Sequence, residues 1–290
     1  MLDVPVSEQV LRRSGSSFAM AFRLLPPDER AAMTAFYAYC REIDDVVDLA
    51  EDLPSARRGV EAWKREIDLV DAGRAATPLG REVQATVGAF TVGTEPLRLV
   101  LEGVRRDLEV TRYETFDELY GYCYHVASAV GQYICAVLGA DSEAVRRYAE
   151  LTGVAVQLTN VLRDVAEDGA RGRIYLPLED MRKFGVREQD VLRARGSERL
   201  VALMRFEAVR ARELYVMADG ILDPHWNRTL YFARALSGIY RDLLDLLEER
   251  EFGLQGVAVR LSARRKLSVI LRYRLRSLVP SRTALLERRV

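Results

Sequence analysis

The chain has 290 residues, of which 49% are hydrophobic and 30% are charged, and its 43 Lys and Arg balance its 43 Asp and Glu. This composition excludes an intrinsically disordered protein, in which low hydrophobicity accompanies high net charge. A net charge of zero gives no support to a nucleic-acid binder, for which a basic excess is expected. The length allows one large domain or two small ones.

Apolar residues follow a helical period nearly throughout the chain, and prolines mark the helix boundaries. Pro26 and Pro27 begin a helix that continues past residue 48 without a breaker, and Pro54 begins the next. Further helices are predicted at 79–91, 96–110, 115–139, 142–168, 197–219, 224–250 and 256–278. Neither sustained period-two alternation nor a GxGxxG motif occurs. The sequence therefore predicts one all-α domain over residues 1–290.

A first polar face lies on the helix that follows Pro27. It comprises Tyr37, Arg41, Asp44, Asp45 and Asp48. Positions 37, 41, 44 and 48 are related by i, i+4, i+7 and i+11, so they share one side of the helix. Two acids four residues apart repel each other modestly. A bound cation would remove this penalty, so the face is a candidate metal site.

A second polar face is formed by Gln157, Asn160, Asp164 and Asp168, again at helical spacing. Every member offers an oxygen ligand, which hard cations such as Mg²⁺ prefer, often with waters and substrate phosphates completing the shell. Neither face contains His or Cys, which argues against zinc. Two such faces on apolar helices favour a metal–diphosphate site over a pair of solvated surfaces.

Arginines accompany both acidic faces. Their planar guanidinium groups suit bidentate contacts to phosphate, or salt bridges to the neighbouring acids, and the sequence leaves both roles open for each. They are Arg41, Arg163, Arg171 and Arg173.

Cysteine usage and the termini indicate the compartment. Three cysteines without CxxC spacing favour reduced intracellular thiols, and the N-terminus lacks the apolar core of a signal peptide. Residues 119–140 contain no acidic or basic residue over a length that could roughly span a membrane. Their four tyrosines, His125 and Gln132 favour a helix buried in a protein core. We therefore expect a cytoplasmic protein, with peripheral contact at the inner face of the membrane as a further option.

The balanced total charge conceals a basic C-terminal helix and tail. Residues 256–290 contain ten Lys or Arg and one acid, so they carry +9 and residues 1–255 carry −9. An apolar helical stripe in this segment comprises Leu267, Ile270, Leu271, Leu275 and Leu278. A basic amphipathic helix can rest on an anionic membrane. Docking on the acidic body of the protein is the alternative.

Four segments, in this order, resemble the squalene/phytoene synthase family of head-to-head isoprenyl diphosphate synthases. They are SGSSFAMAFRLLPPDER, AFYAYCREIDDVVD, YGYCYHVASAVG and QLTNVLRDVAEDGARGRIYLPLED, and they span residues 14–180. Two aspartate-rich motifs with the RIYLP extension make the resemblance specific, whereas the C-terminal third matches less sharply. Among members, the chain looks most like bacterial presqualene diphosphate synthases of hopanoid biosynthesis. The resemblance implies a single-domain class I isoprenoid synthase helical bundle with a central cavity.

The resemblance also implies roles for individual residues. The implied metal ligands are Asp44, Asp48, Asn160, Asp164 and Asp168. The implied catalytic residues are Tyr37, Arg41, Tyr122 and Arg173. The implied substrate-binding residues are Ser16, Ser17, Phe18, Arg41, Gln157, Arg163, Arg173 and Tyr240, of which the first three would close over the diphosphate.

The implied reaction joins two farnesyl diphosphates, held by two or three Mg²⁺ ions, into presqualene diphosphate with release of diphosphate. Reduction to squalene would need a hydride, and NADPH use stays open. The alternatives are a phytoene or dehydrosqualene synthase of carotenoid biosynthesis, a terpene cyclase that acts on one diphosphate, and a non-catalytic assembly protein. The oligomeric state also stays open.

Overall fold

The computed structural model describes residues 4–14, 21–194, 196–254 and 258–278, and the described chain is almost entirely helical. The helices are α1 (Val6–Arg13), α2 (Pro27–Asp48), α3 (Leu53–Asp71), α4 (Pro78–Phe90), α5 (Glu95–Arg106), α6 (Phe116–Cys123), α7 (Ala129–Val137), α8 (Glu143–Ala170), α9 (Leu178–Phe184), α10 (Glu188–Leu192), α11 (Glu198–Ile221), α12 (Trp226–Thr229), α13 (Tyr231–Glu249) and α14 (Ala263–Leu278). A π-helical turn spans Tyr124–Ser128, and a 3-10 turn spans Glu251–Gly253.

Several helices begin at a side-chain cap that the sequence provides. Asp52 accepts a hydrogen bond from the Ser55 amide at the start of α3. The same arrangement starts α4, α6, α8 and α11, where the capping residues are Thr77, Thr115, Ser142 and Ser197. Such caps satisfy amides that have no partner within the helix, and each is worth about 1 kcal/mol.

Residues 1–109 and 132–139 form one compact unit. Its core lies on the apolar side of α2, where Phe36 stacks on Tyr133 with ring centroids 3.8 Å apart. The hydroxyl of the fully buried Tyr39 donates to the Leu97 carbonyl at 2.7 Å, and its ring meets Trp63 edge-on at 5.2 Å. These contacts fix the rotation of α2 about its axis, and with it the direction of the polar face.

Residues 110–131 and 140–290 form the second unit, in which the long helix α8 packs against α11, α13 and the π-helical turn. Leu158 and Leu162 are almost completely buried, and Thr159 shares a hydrogen bond of 3.2 Å with the hydroxyl of Tyr215. Gly153 lies directly against the π-helical turn, because a Cβ atom there would come within 2.4 Å of the Ser128 Cα. The two backbones can approach this closely only with glycine at this position.

The prediction of an all-α fold is confirmed. In the described ranges no strand occurs, and Arg112 and Ile174 form only an isolated parallel bridge. The predicted helix 115–139 is interrupted by the π-helical turn, which inserts an extra residue into the helical ladder where Gly153 packs. The predicted helix 224–250 is divided at Leu230, and the last helix begins only at Ala263. The extent of the domain, residues 1–290, and the central cavity stay predictions.

Residues 119–140 take the place expected of a segment in a protein core. Leu119, Cys123 and Tyr133 are buried within the fold. No helix in the described part of the chain combines the length and the apolar character that crossing a bilayer would require.

Candidate active site

The first polar face lies near the C-terminal end of α2, where Arg41 and Asp45 form a bidentate ion pair. Arg41 Nε donates to Asp45 Oδ2 at 3.2 Å, and Arg41 Nη2 lies 2.5 Å from Oδ1. Arg41 is therefore held by the acid beside Asp44, which realises the salt-bridge role that the sequence left open. The guanidinium remains half exposed, so it is still accessible to a ligand.

The surroundings of Asp44 disfavour the charged form of its carboxylate. Partial removal from water, followed by the repulsion of Asp48, raises the pKa of Asp44 to about 7. Its side chain still reaches solvent. A cation that approaches Asp44 would stabilise the charged form of its carboxylate. Because the side chain reaches solvent, the cation can make direct contact with it.

Tyr37 lies on the same side of α2, one turn before Arg41. It is half buried, and its ring meets Phe22 edge-on with centroids 6.3 Å apart. The tyrosine therefore presents an aromatic surface next to the acidic face, as the helical spacing predicted.

The second polar face lies on α8, and Asn160 is at its centre. The Asn160 amide nitrogen donates to Gln157 Oε1 at 3.3 Å, and the Tyr240 hydroxyl on α13 is a further hydrogen-bonding neighbour. The carbonyl oxygen Asn160 Oδ1 is buried and has no hydrogen-bond partner in the described part of the chain. An unsatisfied buried acceptor costs about 1–3 kcal/mol, and a cation at this position would satisfy it.

Arg163 and Asp164 form the ion pair of this face. Arg163 Nε donates to Asp164 Oδ1 at 2.7 Å, and Nη2 lies 2.5 Å from Oδ2. Arg163 also hydrogen-bonds with Tyr240, whose pKa is raised because its hydroxyl is removed from water. Tyr240, which the resemblance implied as a substrate-binding residue, thereby contacts the second polar face.

Asp168 ends the face at the last turn of α8. Burial, followed by the negative charge of Asp164, raises the pKa of Asp168 to about 7, against the opposing effect of Arg173 and Arg171. The chain then reverses through Gly172, whose φ of +79° favours glycine, and the Arg173 amide donates to the Asp168 carbonyl at 2.9 Å. This turn brings the two arginines back to the acidic face.

Tyr122 lies in an aromatic cluster whose other members the sequence did not single out. Its ring is 5.4 Å from Tyr113 and 5.2 Å from Tyr175, centroid to centroid. Backbone hydrogen bonds from Ile174 to Thr111 and from Leu178 to Tyr113 hold the two segments side by side. Tyr175 could have been identified from the sequence, because it lies within the RIYLP segment.

The sequence also missed a group of cations beside Arg163. Lys266, in the first turn of α14, has its pKa lowered by burial and then by the positive charges of Arg163 and Arg260. The basic C-terminal segment therefore brings Lys266 within electrostatic range of Arg163 on the second polar face. The sequence assigns Lys266 and Arg260 to a basic C-terminal segment and does not relate them to Arg163.

The residues of the two faces fit Mg²⁺. In the described residues, no three His, Cys, Asp or Glu side chains come together as a complete metal site. Mg²⁺ is commonly held by one or two carboxylates, with substrate phosphates and waters as the other ligands. The solvent-accessible Asp44 and the unsatisfied Asn160 Oδ1 suit that mode. Ser16, Ser17 and Phe18, predicted to close over the diphosphate, lie outside the described residues.

The profile of the squalene/phytoene synthase family matches residues 11–266, which is most of the chain. The chain belongs to the squalene/phytoene synthase family. It is therefore an enzyme that transfers prenyl groups, and the resemblance seen in its aspartate motifs is confirmed.

Curated relatives include phytoene synthase 3 of Zea mays, 34% identical over 97% of this chain and 68% of its own length. The phytoene synthase of Arthrospira platensis is 35% identical over 84% of this chain and 83% of its own length. Among solved structures, a dehydrosqualene synthase superposes with a TM-score of 0.81 at 29% identity, covering 93% of this chain and 94% of its own. The squalene synthase HpnC from Alicyclobacillus acidocaldarius gives 0.74 at 26% identity, over 85% and 94%.

Proposed function

We propose that this enzyme joins two molecules of an allylic isoprenyl diphosphate head to head in a Mg²⁺-dependent reaction that releases diphosphate. The observation that carries the proposal is the pairing of each aspartate face with an arginine in a chain of this family. Carboxylates for the metal and guanidinium groups for the diphosphate are the two requirements of diphosphate ionisation.

The proposed metal ligands are Asp44, Asp48, Asn160, Asp164 and Asp168. When bound, Mg²⁺ would supply Lewis-acid stabilisation of the charge that develops on the departing diphosphate. Arg41, Arg163 and Arg173 would bind diphosphate oxygens, because guanidinium groups offer paired donors at the spacing of phosphate oxygens. In this proposal Arg163 exchanges its bidentate contact with Asp164 for one with the diphosphate.

The reaction breaks the allylic carbon–oxygen bond, and the diphosphate departs with the electron pair. The double bond of the second substrate attacks the resulting cation, and loss of a proton closes a cyclopropane ring. Aromatic faces stabilise such a cation without reacting with it, and water must be kept away from it. Tyr37, Tyr240 and the cluster of Tyr113, Tyr122 and Tyr175 supply aromatic surface for this role.

The length of the substrate distinguishes two candidate functions. The resemblance favours a pair of farnesyl diphosphates, with presqualene diphosphate as product in hopanoid biosynthesis. The names of the curated relatives, which are phytoene synthases, support a carotenoid role at least as well. For that role the substrate would be geranylgeranyl diphosphate and the product phytoene.

The deciding experiment incubates the purified protein and Mg²⁺ with farnesyl or geranylgeranyl diphosphate, with and without NADPH. Mass spectrometry of the lipid extract separates thirty-carbon from forty-carbon products. A thirty-carbon cyclopropyl diphosphate supports the first candidate, and a forty-carbon hydrocarbon supports the second. Squalene that forms only with NADPH would show that the reaction continues past the cyclopropane. Absence of any coupled product from both substrates, with measurable binding of either, would contradict the proposal.

We also propose that the enzyme is cytoplasmic and contacts the inner face of the membrane peripherally. This part of the proposal depends on the basic C-terminal helix and not on the aspartate faces. Peripheral membrane contact would suit an enzyme whose product dissolves in lipid.

A further inference from the structure

The C-terminal helix α14 is firmly held by one of its sides. Val269 and Ile270 are buried, and the helix packs on α12 and α13. The ring of Tyr273 packs so closely on α13 that a Cβ atom at Gly238 would come within 2.4 Å of it. The docked side of α14 is therefore already occupied by the protein's own core.

Ion pairs fix the rotation of this helix. Arg265 and Arg272 reach Asp242 on α13 at 3.0 and 3.7 Å, and the Arg274 guanidinium lies 4.6 Å from the centre of the Tyr231 ring. With the apolar docking and these contacts combined, α14 presents one defined side away from the protein.

That outward side carries a leucine stripe, which we define as Leu267, Leu271, Leu275 and Leu278. Their spacing of four, four and three residues places them within about 80° of the helix circumference. They are between 37% and 65% exposed, whereas Val269 and Ile270 are 2% and 3% exposed. The apolar stripe read from the sequence therefore divides into a docked part and an undocked part.

Positive charge surrounds the leucine stripe. The sequence of α14, ARRKLSVILRYRLRSL, contains six basic residues and no acid. By helical geometry, Arg274 borders the stripe on one side and Arg272 borders it on the other, while Arg264 lies one turn before Leu267 at the N-terminal end of the stripe. Apolar residues between arginines match a surface with an apolar interior and anionic groups at its edge.

We propose that the leucine stripe and its flanking arginines dock this enzyme on the surface of an anionic lipid bilayer. The leucines would enter the boundary between headgroups and acyl chains, and the arginines would contact the lipid phosphates. A second copy of the chain fits this surface less well. A two-fold contact through the stripe would bring the arginine rows of both copies together, without acids on α14 to neutralise them. The proposal gives the membrane contact a location, and it is independent of prenyl transfer.

The test measures co-sedimentation of the full-length protein with vesicles of phosphatidylcholine, alone or with about 30% phosphatidylglycerol, at low ionic strength. We expect binding to the anionic vesicles only, weakened by salt. The double variant Leu271→Ser/Leu275→Ser removes apolar area without changing charge, and it should lower the bound fraction on the order of tenfold. Arg264→Gln/Arg274→Gln, at two arginines beside the stripe, should reduce the preference for anionic lipid.

A matched control separates the stripe from general surface hydrophobicity. Val216→Ser/Met217→Ser removes two side chains of similar exposure, 67% and 52%, from α11, and it should leave vesicle binding unchanged. Turnover of detergent-dispersed substrate should be the same in all these variants, so failure of prenyl transfer and failure of docking are distinguishable. Undiminished vesicle binding by the leucine variant would overturn the proposal. So would a wild-type dimer in analytical ultracentrifugation that this variant converts to monomers.

Discussion

Arg163 and Asp164 are neighbours in the sequence, and they form a bidentate ion pair with N–O distances of 2.7 and 2.5 Å on the polar face of α8. Arg41 and Asp45 form the corresponding pair on α2. On each face one carboxylate is neutralised, while a nearby one, Asp168 or Asp44, has its pKa raised to about 7. Both faces therefore favour an incoming cation and provide an arginine that can turn to an incoming anion.

Removal of one negative charge from either face should abolish most of the activity. We expect Asp44→Asn and Asp164→Asn each to lower kcat/KM at least about 100-fold at saturating Mg²⁺, because the amide binds Mg²⁺ weakly and stabilises the leaving group less. The measurement is diphosphate release from the preferred substrate.

Each of these variants has a control on its own helix. Asp28→Asn on α2 and Glu143→Gln on α8 remove the same charge at exposed positions in the first turn of each helix, away from the candidate ligands. Both controls should keep near-wild-type activity. Wild-type rates in Asp44→Asn or Asp164→Asn would contradict the metal assignment.

The geometry of the Arg163 guanidinium should matter as well as its charge. Lysine keeps the charge but cannot make paired contacts, so Arg163→Lys should raise the inhibition constant of inorganic pyrophosphate about tenfold. Arg147→Lys, which alters an exposed arginine on the same helix, should leave this constant unchanged. An unaltered constant in Arg163→Lys would show that Arg163 serves only to hold Asp164.

The close approach of α8 to the π-helical turn should make Gly153 intolerant of a side chain. Gly153→Ala places a Cβ atom against the Ser128 backbone, which cannot rotate away, so we expect a loss of at least about 2 kcal/mol in the free energy of unfolding. Gly88→Ala, at a helical glycine with open space around it, should be neutral or stabilising by up to about 1 kcal/mol. Equal chemical denaturation midpoints for the two variants would exclude the tight contact.

A buried cluster on α11 should make stability depend on pH. Arg210 Nη1 contacts Glu207 at 2.8 and 2.9 Å and Asp180 at 2.9 Å, so a single guanidinium serves two buried carboxylates. Burial raises the pKa of Glu207 to about 7, and Asp180 adds to this effect. The folded protein therefore binds a proton that the unfolded chain releases near its ordinary pKa of 4.5.

Stability from this group is complete below about pH 4.5 and decreases as the pH rises to about 7. We expect Glu207→Gln to remove this pH dependence. The free energy of unfolding of the variant, relative to that of the wild type, should therefore increase by up to about 3 kcal/mol between about pH 4.5 and about pH 7. Glu213→Gln, an exposed glutamate on the same helix, should parallel the wild type. Parallel pH profiles for Glu207→Gln and wild type in urea denaturation would contradict the shifted pKa.

Local sequence patterns predict most of the helices and the two polar faces. Caps such as Thr77 and Ser142 start helices through bonds that reach only three residues along the chain, and aspartate spacing selects one side of a helix through its fixed period. Gln157, Asn160 and Asp164 consequently lie together, as predicted. Local helical geometry is sufficient to predict these features, and the family motifs indicate the chemistry of the site.

Tertiary packing, in contrast, determines which distant residues lie beside the predicted site residues. Tyr113 and Tyr175 surround Tyr122 because backbone bonds pair two segments far apart in sequence, and Lys266 reaches Arg163 because α14 docks beside α13. The same docking buried Ile270 and left Leu271 and Leu275 outside. Helical periodicity specifies which residues share a side, but only the packing partner decides whether that side is covered.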